Sequence, residues 1–114
     1  DSRADGMKVR ILDEAEQDLI DGFRFYEGQG EGLGDYFVNS LFSDIDSLQL
    51  YAGIHSRHLG YHRMLAKRFP FAIYYTVEGD VVDVWAVLDC RQNPARKEAR
   101  LERPASTESN GDAD

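Results

Sequence analysis

The alternation of apolar and polar residues along the chain predicts four β-strands. Residues 7–12 place Val9 and Ile11 on one face and charged side chains on the other, which is typical of a strand with one solvated side. Three later segments alternate aromatic and β-branched residues, at 61–68, 71–77 and 81–90. The last of these is apolar on both faces, so we expect it in the interior of a sheet.

Apolar residues at helical spacing predict three helices. One stripe has intervals of four, four and three residues, through Ala15, Leu19, Phe23 and Tyr26. Asp13 is predicted as the N-cap of this helix, with Glu16 completing a capping box. The glycine-rich segment 28–34 is predicted as a loop, because glycine is unfavourable inside a helix. A second helix is expected over 35–51 and a short one over 94–101.

The resulting order, β-α-α-β-β-β-α, predicts an α+β domain over residues 7–101. In this interpretation a helical hairpin packs on one face of a small, twisted, mainly antiparallel sheet, and the other face is free for binding. Residues 1–6 are predicted as a leader or an expression remnant. Residues 102–114 are predicted as a disordered acidic tail, because they contain little to bury.

Composition excludes some classes of protein. No apolar run approaches the roughly 20 residues that cross a bilayer, so no membrane partner is expected. A single cysteine, Cys90, excludes an internal disulfide and favours a cytoplasmic location. The three histidines, at 55, 58 and 62, are predicted in a solvated loop rather than in a metal site, so neither a metal nor another cofactor is expected.

The charges are unevenly distributed. The net charge is -8, yet residues 55–68 contain no acidic side chain. An acidic total argues against nonspecific nucleic-acid binding, whereas a local basic patch can hold an anionic partner. The predicted partner-binding residues are the cations that flank the apolar strands: Arg57, Arg63, Lys67, Arg68, Arg91 and Arg96.

Several segments together resemble the RelE/ParE superfamily of toxins from bacterial type II toxin–antitoxin modules, which are also called plasmid stabilisation proteins. They are VRILDEAE at 9–16, FYE at 25–27, GLG at 32–34, KRFPFAIYY at 67–75 and AVL at 86–88, followed by Arg91 and Asn93-Pro94. The resemblance covers residue 7 to about residue 101 and implies the fold described above.

The resemblance implies one of two activities, since one fold can carry both. RelE-like members are ribosome-dependent ribonucleases that cut messenger RNA, whereas ParE-like members act on DNA gyrase. In both groups an antitoxin binds and silences the toxin. If this chain were a nuclease, the residues around the scissile phosphate would be Arg63, Lys67, Arg68 and Arg91.

The residues present favour the ParE-like activity. Cleavage of RNA without a metal needs a base, cations around the phosphate and an acid for the leaving oxygen. Ala72 stands where the RelE-like ribonucleases tend to carry an arginine, and Gln92 falls near a second such position, with Arg91 one position away as a substitute. Asp89 places a carboxylate where many relatives have a histidine. No tyrosine or histidine follows Pro94 to act as the terminal acid.

The preferred hypothesis is therefore a toxin that acts on a protein target such as gyrase and is not an enzyme. Its antitoxin is expected to lay a C-terminal segment across the sheet and the helical hairpin. Two alternatives remain: a RelE-like messenger-RNA endonuclease that acts on the ribosome, and a non-toxic binding module.

Overall fold

The computed structural model describes residues 7–102; the predicted leader, 1–6, and residues 103–114 of the predicted tail lie outside the described residues. The elements are β1 Lys8–Ile11, α1 Asp13–Gln29, α2 Leu33–Asp46, α3 Leu48–Tyr51, β2 Arg57–His58, β3 Tyr61–Leu65, β4 Phe71–Glu78 and β5 Val81–Asp89. Residues 94–102 form a further helix, α4. The predicted α+β fold is confirmed. The short strand β2 is an addition to it, and the helix predicted over 35–51 is divided into α2 and α3 at Ser47.

The five strands form one sheet in the order β1-β5-β4-β3-β2. β1 runs parallel to β5, and the other neighbours are antiparallel. The register between β4 and β5 shifts at Tyr74 and Tyr75, so that no residue of β4 lies directly opposite Trp85. This β-bulge turns Val87 back to the face that Val84 occupies, because the extra residue reverses the alternation beyond it.

The helical hairpin α1–α2 covers one face of the sheet. Its buried side chains meet apolar residues of β3, β4 and β5 in the main core, which comprises Ala15, Leu19, Phe37, Leu41, Ile45, Leu48, Met64, Phe71, Ile73, Tyr75, Val82, Val84 and Val87. Apolar burial of this extent is the principal stabilising term of a small domain.

The predicted capping of α1 is wrong. Asp13 is already helical, and the N-cap position belongs to Leu12, whose side chain makes no capping hydrogen bond. The acidic residues of the first turn act instead on the helix dipole, whose positive end lies there.

The predicted glycine loop is also too long, since only residues 30–32 separate α1 from α2. Glu27 makes the short turn possible: its carboxylate accepts hydrogen bonds from the backbone N–H groups of Gly32 at 3.1 Å and Gly34 at 2.9 Å. The end of α1 thereby caps the start of α2, which has no capping side chain of its own.

The second face of the sheet is not free along its full length, contrary to the prediction. Helix α4 covers part of it, and Leu101 is buried in a smaller cluster with Tyr61, Ala72, Tyr74, Ala86 and Leu88. The Tyr61 hydroxyl donates to the carbonyl of Leu101 at 2.8 Å. Helix α4, which carries the predicted partner-binding residue Arg96, is thus also part of the packed domain.

Asp18 of α1 joins α4 to the sheet. Its carboxylate accepts hydrogen bonds from Arg100 Nη1 and Nη2, both at 2.8 Å, and from the backbone N–H of Val87 at 2.9 Å. β1 pairs with β5 only as far as Val84, so no strand lies next to Val87 on the side of β5 that faces β1. The side chain of Asp18 supplies the acceptor that a longer β1 would have supplied.

The three histidines were predicted in a solvated loop. His55 lies in the loop before β2 and His58 is exposed in β2, whereas His62 lies in β3; His55 and His62 fasten the segment before β2 to the sheet. The Tyr75 hydroxyl accepts a hydrogen bond from the Gly53 N–H at 2.9 Å and lies 2.6 Å from His55 Nδ1. His62, within β3, stacks on the Tyr75 ring at a centroid distance of 5.1 Å. Its Nδ1 lies 2.9 Å from the carbonyl oxygen of His55, to which it donates.

The surroundings of His55 predict that the stability of the domain depends on pH. Burial lowers the pKa of His55, and the neighbouring His62 lowers it further. The unfolded chain therefore takes up this proton more readily than the folded chain, so stability present at neutral pH is lost as the pH falls below about 6.5. Urea unfolding at pH 7.5 and 5.5 measures the loss, which should be smaller in His55→Gln. An unchanged pH dependence in that variant would assign the effect elsewhere.

Candidate protein-binding surface

The loop between β3 and β4 holds two of the predicted binding residues, Lys67 and Arg68, both exposed. Its Phe69 packs into an aromatic cluster on the helical hairpin, with ring centroids 4.9 Å from Tyr26 and 5.1 Å from Phe37. The edge-to-face geometry of both contacts is a favourable one for aromatic rings. The loop is therefore held by Phe69 while its two cations face solvent.

Asp44 also holds this loop in place. It lies on α2, is only 4% exposed, and its Oδ2 accepts a hydrogen bond from the Lys67 N–H at 3.0 Å. No role for Asp44 was predicted from the sequence. The available signal was its position between Leu41 and Leu48, on the buried stripe of α2, where an acidic residue needs a specific partner.

Arg91 lies at the same end of the sheet as this loop. Phe71 pairs with Asp89, and the Cys90 N–H donates to the Pro70 carbonyl at 2.8 Å. The Arg91 guanidinium makes a forked contact with Asp89, at 2.9 Å from Nε and 2.7 Å from Nη2. The side-chain hydrogen bonds between Arg91 and Asp89 lower the pKa of Asp89 and raise the pKa of Arg91. Part of the positive charge at position 91 is thus neutralised within the chain.

Exposed aromatic side chains adjoin these cations. Phe25 is 53% exposed and lines a cleft of about 310 Å³ with Phe71 and Asp89. Tyr36 is 49% exposed, and its ring centroid lies 5.3 Å from that of Phe69. We call residues 67–70 together with Arg91, Phe25 and Tyr36 the aromatic–cationic surface. Aromatic residues and arginines in this combination are enriched in protein interfaces.

Arg57 and Arg63 lie apart from this surface and on opposite faces of the sheet. Arg57 pairs with His62, whose ring faces the main core, so Arg57 belongs to the hairpin face. Arg63 faces the second side, where its Nε donates to the Tyr74 hydroxyl at 3.2 Å. The two arginines therefore cannot contact one flat partner together.

Arg63 lines a small cleft that was not predicted from the sequence. Its volume is about 190 Å³, and it is lined by His58, Arg63, Tyr74, Pro94, Lys97 and Glu98. The ring centroids of His58 and Tyr74 are 6.2 Å apart. The cleft thus combines cations with groups that transfer protons. Its members come from β2, β3, β4 and α4, so no single sequence motif reveals it.

Arg96 occupies a third position, on α4, in a shallow cleft of about 200 Å³ with Leu88, Gln92 and Arg100. The six predicted cations are therefore distributed over several places. Lys67, Arg68 and Arg91 share one end of the sheet, and Arg57, Arg63 and Arg96 lie elsewhere. Partner binding by these residues remains a prediction.

Two positions that the resemblance singled out are now placed. Ala72 is 1% exposed within the cluster that α4 covers, so it presents nothing to a substrate. Asp89 is engaged by Arg91. Within residues 7–102, no three or more His, Cys, Asp or Glu side chains are grouped so that they could hold a metal ion.

No helix in the described part of the chain combines the length and the apolar character that crossing a membrane requires. No protein-family model matches the sequence, and no curated protein matches it either. Among solved structures, a chain of the "Chromosomal ParDE TA system from P. aeruginosa" superposes with a TM-score of 0.62 and 19% sequence identity. The match covers 73% of this chain and 95% of that one, which confirms the predicted α+β fold.

Proposed function

Since the chain shares its fold with a ParDE toxin–antitoxin structure, we propose that it is the toxin of a type II toxin–antitoxin module. Its activity is ParE-like: it binds a protein target in the cytoplasm, DNA gyrase, and a cognate antitoxin neutralises it. The observation that carries this proposal is the aromatic–cationic surface, where Phe25 and Tyr36 are exposed beside Lys67, Arg68 and Arg91.

The charges support a protein target over the ribosome. A net charge of -8 gives no general attraction to RNA. Of the three cations in the surface, Arg91 is already paired with Asp89, so a phosphate there would meet a carboxylate. An interface with a protein tolerates this arrangement, because it uses the aromatic side chains for burial and the charges at its rim for orientation.

The proposal is tested by adding the purified chain to gyrase and relaxed plasmid. Gyrase-directed activity predicts that supercoiling is lost. It also predicts that supercoiling is retained when the chain is first mixed with its candidate antitoxin, the product of the reading frame beside this gene. The same preparation is added to a translation mixture that contains ribosomes. Intact message together with lost supercoiling supports the proposal, whereas cut message with normal supercoiling contradicts it.

A second candidate function is the RelE-like endonuclease, which the cleft of Arg63 and Lys97 favours. His58 and Tyr74 are groups that exchange protons, and the two cations line the same cleft, together with the carboxylate of Glu98. Under this hypothesis Tyr74→Phe abolishes message cleavage, because the variant keeps the ring but loses the hydroxyl. If neither supercoiling nor message changes, the third hypothesis, a non-toxic binding module, is the one that stands.

Antitoxin binding depends on the cations of the same surface. We expect Arg68→Glu and Arg91→Glu each to weaken the affinity for the antitoxin by about tenfold, or roughly 1.4 kcal/mol, because each reverses a charge that faces acidic residues of the partner. Titration calorimetry with the purified antitoxin measures the change. Arg24→Glu, at an exposed position of α1, is the control for net charge. Undiminished binding by both test variants would remove this surface from the interface.

A further inference from the structure

The segment between α2 and β3 displays the two most exposed large apolar side chains in the described part of the chain. Leu50 is 71% exposed and Ile54 is 72% exposed, and Tyr51 between them is also exposed. Leu48 takes the inward side of α3 and is fully buried, so Leu50 and Tyr51 face outwards. The Ile54 N–H donates to the Tyr51 carbonyl at 3.4 Å, which keeps the exposed side chains in one region. Clustered apolar exposure of this kind marks sites of interaction with other proteins.

The backbone of this segment is held against the sheet. The Gly53 N–H and the His55 carbonyl bond to side chains of β4 and β3, and the Ser56 carbonyl accepts a hydrogen bond from the Arg63 N–H at 2.9 Å. Ile54 lies between these anchored residues, yet its own side chain is in solvent. Because the backbone is already ordered, covering Ile54 with a partner costs little conformational entropy.

The turn between β2 and β3 carries an apolar residue in an unfavourable backbone conformation. Leu59 has a φ of 55° and Gly60 has a φ of 87°, and positive values at both positions are typical of a two-residue hairpin turn. Asn, Asp or Gly is preferred at the first of these positions, because a bulkier side chain is strained there. Leu59 is exposed, so burial within the domain does not offset the strain. A strained and exposed leucine indicates a role outside the fold itself.

The charge beside these apolar residues is positive. Arg57 lies on β2, is exposed, and makes no ion pair within residues 7–102. No acidic residue occurs from 47 to 77, and the carboxylate that precedes this range, Asp46, accepts a hydrogen bond from Gln49 at 2.8 Å. An acidic partner is therefore complementary to this region. The edge patch is the name that we give to Leu50, Tyr51, Ile54, Arg57 and Leu59.

From these observations we propose that the edge patch binds an amphipathic helix of another protein, with aliphatic residues on the bound face and carboxylates beside them. The aliphatic face of the helix covers Leu50, Ile54 and Leu59, and a carboxylate pairs with Arg57. A helix fits better than an added strand, because β2 has two residues and of these only Arg57 directs its backbone groups away from β3. The site lies at the opposite edge of the sheet from β1.

The composition of the edge patch argues against other occupants. A membrane surface holds a protein through a cluster of cations, and the patch has one. Nucleic acid needs cations for its phosphates and aromatic faces for its bases, whereas this patch is mainly aliphatic. A symmetric pair of copies would place one positively charged patch against another. The site does not depend on the proposed function, since the peptide results below are the same whether or not the chain inhibits gyrase.

The test uses the full ¹⁵N-labelled chain and a blocked helical peptide of about 18 residues, made of leucine, alanine and glutamate, with leucines at helical spacing and glutamates on both sides of them. Bound peptide should shift the amide resonances of residues 49–60, and those of 67–70 and Arg91 much less. The same peptide with lysine in place of glutamate should bind at least about tenfold more weakly. Absence of shifts in residues 49–60, or equal binding of the lysine peptide, overturns the proposal.

Matched substitutions locate the contact. Ile54→Glu should weaken peptide binding by about tenfold through lost burial and added repulsion, whereas Ile20→Glu, at an exposed residue of α1, should not. Arg57→Glu should have an effect of similar size, with Arg24→Glu on α1 as its control. If both test variants bind the peptide as their controls do, the helix binds elsewhere and the proposal fails.

Leu59→Asn separates binding from folding. Asn tolerates the left-handed conformation, so this variant should unfold at a higher urea concentration than the natural chain and yet bind the peptide about threefold more weakly. A less stable variant, or one with unchanged affinity, contradicts the proposal at this residue. Binding to phosphatidylglycerol vesicles that Ile54→Glu abolishes would assign the patch to a membrane, and a dimer that Arg57→Glu dissociates would assign it to a second copy. Either result overturns the proposal.

Discussion

Replacing Asp18 with alanine should lower the free energy of unfolding by about 3 kcal/mol, since it removes the closer of the two carboxylates at a largely buried guanidinium and leaves only Glu14, at 3.7 Å. The side chains of Asp18 and Arg100 are only 11% and 22% exposed, and their two hydrogen bonds are both 2.8 Å long. The substitution also deprives the Val87 N–H of its acceptor. Urea unfolding followed by far-UV circular dichroism measures the loss, and amide exchange at Val87 should accelerate.

Two further variants show how much of that loss comes from the charge of Asp18 and from its position. Asp18→Asn keeps an oxygen that accepts from Val87 but loses the charge, so we expect a smaller loss than in Asp18→Ala. Asp21→Ala changes an exposed carboxylate on the same helix, whose contact is a hydrogen bond from Gln17, and should alter stability by less than about 0.5 kcal/mol. If Asp18→Ala proves as mild as Asp21→Ala, the contact with α4 does not stabilise the domain.

Replacing Gly34 with alanine should destabilise the chain by about 2 kcal/mol or more, because the added methyl group has no space. A Cβ atom at this position would lie 2.8 Å from the carbonyl oxygen of Phe23 and 2.6 Å from an atom of its ring. The ring can move, but the carbonyl belongs to the backbone of α1. Relief therefore requires α1 and α2 to separate, which also weakens the caps that Glu27 provides. The shift of the urea midpoint measures the cost.

Gly28→Ala is the matched control, on the same hairpin. It lies within α1, and a Cβ atom there would meet nothing within 4 Å. Alanine is favoured over glycine inside a helix, so this variant should be more stable than the natural chain by about 0.5–1 kcal/mol. The two substitutions are chemically identical and should have opposite signs. Equal effects would show that the close approach of α1 and α2 at Gly34 does not exist in solution.

Much of the fold was predictable because strands and helices bury alternate or helically spaced residues, and those spacings are written in the chain. The strand that was missed, β2, has two residues and is too short to show a periodicity. The break between α2 and α3 was also missed, because the apolar spacing of the helix predicted over 35–51 continues from Ile45 to Leu48. The N-cap at Asp13 was misassigned because a capping sequence only shows that a cap is possible, and backbone geometry decides which residue precedes the first turn.

The candidate surface was predictable in its residue types and less so in its arrangement. Lys67 and Arg68 follow the end of β3, and Arg91 the end of β5, so their proximity follows from antiparallel pairing. Arg57 and Arg63 were expected on the same surface. Their opposite faces follow from β2, which pairs Arg57 with His62 rather than with a residue that shares the face of Arg63.

What the sequence determined by itself is the α+β architecture, with the helical hairpin on one side of a sheet whose central strands are apolar. Local spacing carries that information, since each element needs only its own residues to show which side is buried. Only the tertiary structure decided that α4 covers part of the second face of the sheet. The same holds for two side chains: Asp18 accepts the Val87 N–H that no strand pairs, and Asp44 holds the loop between β3 and β4. These features join residues 23 to 82 positions apart. Such distant partners meet only when the whole chain packs, because a buried charge or N–H takes whichever complementary group the fold brings to it.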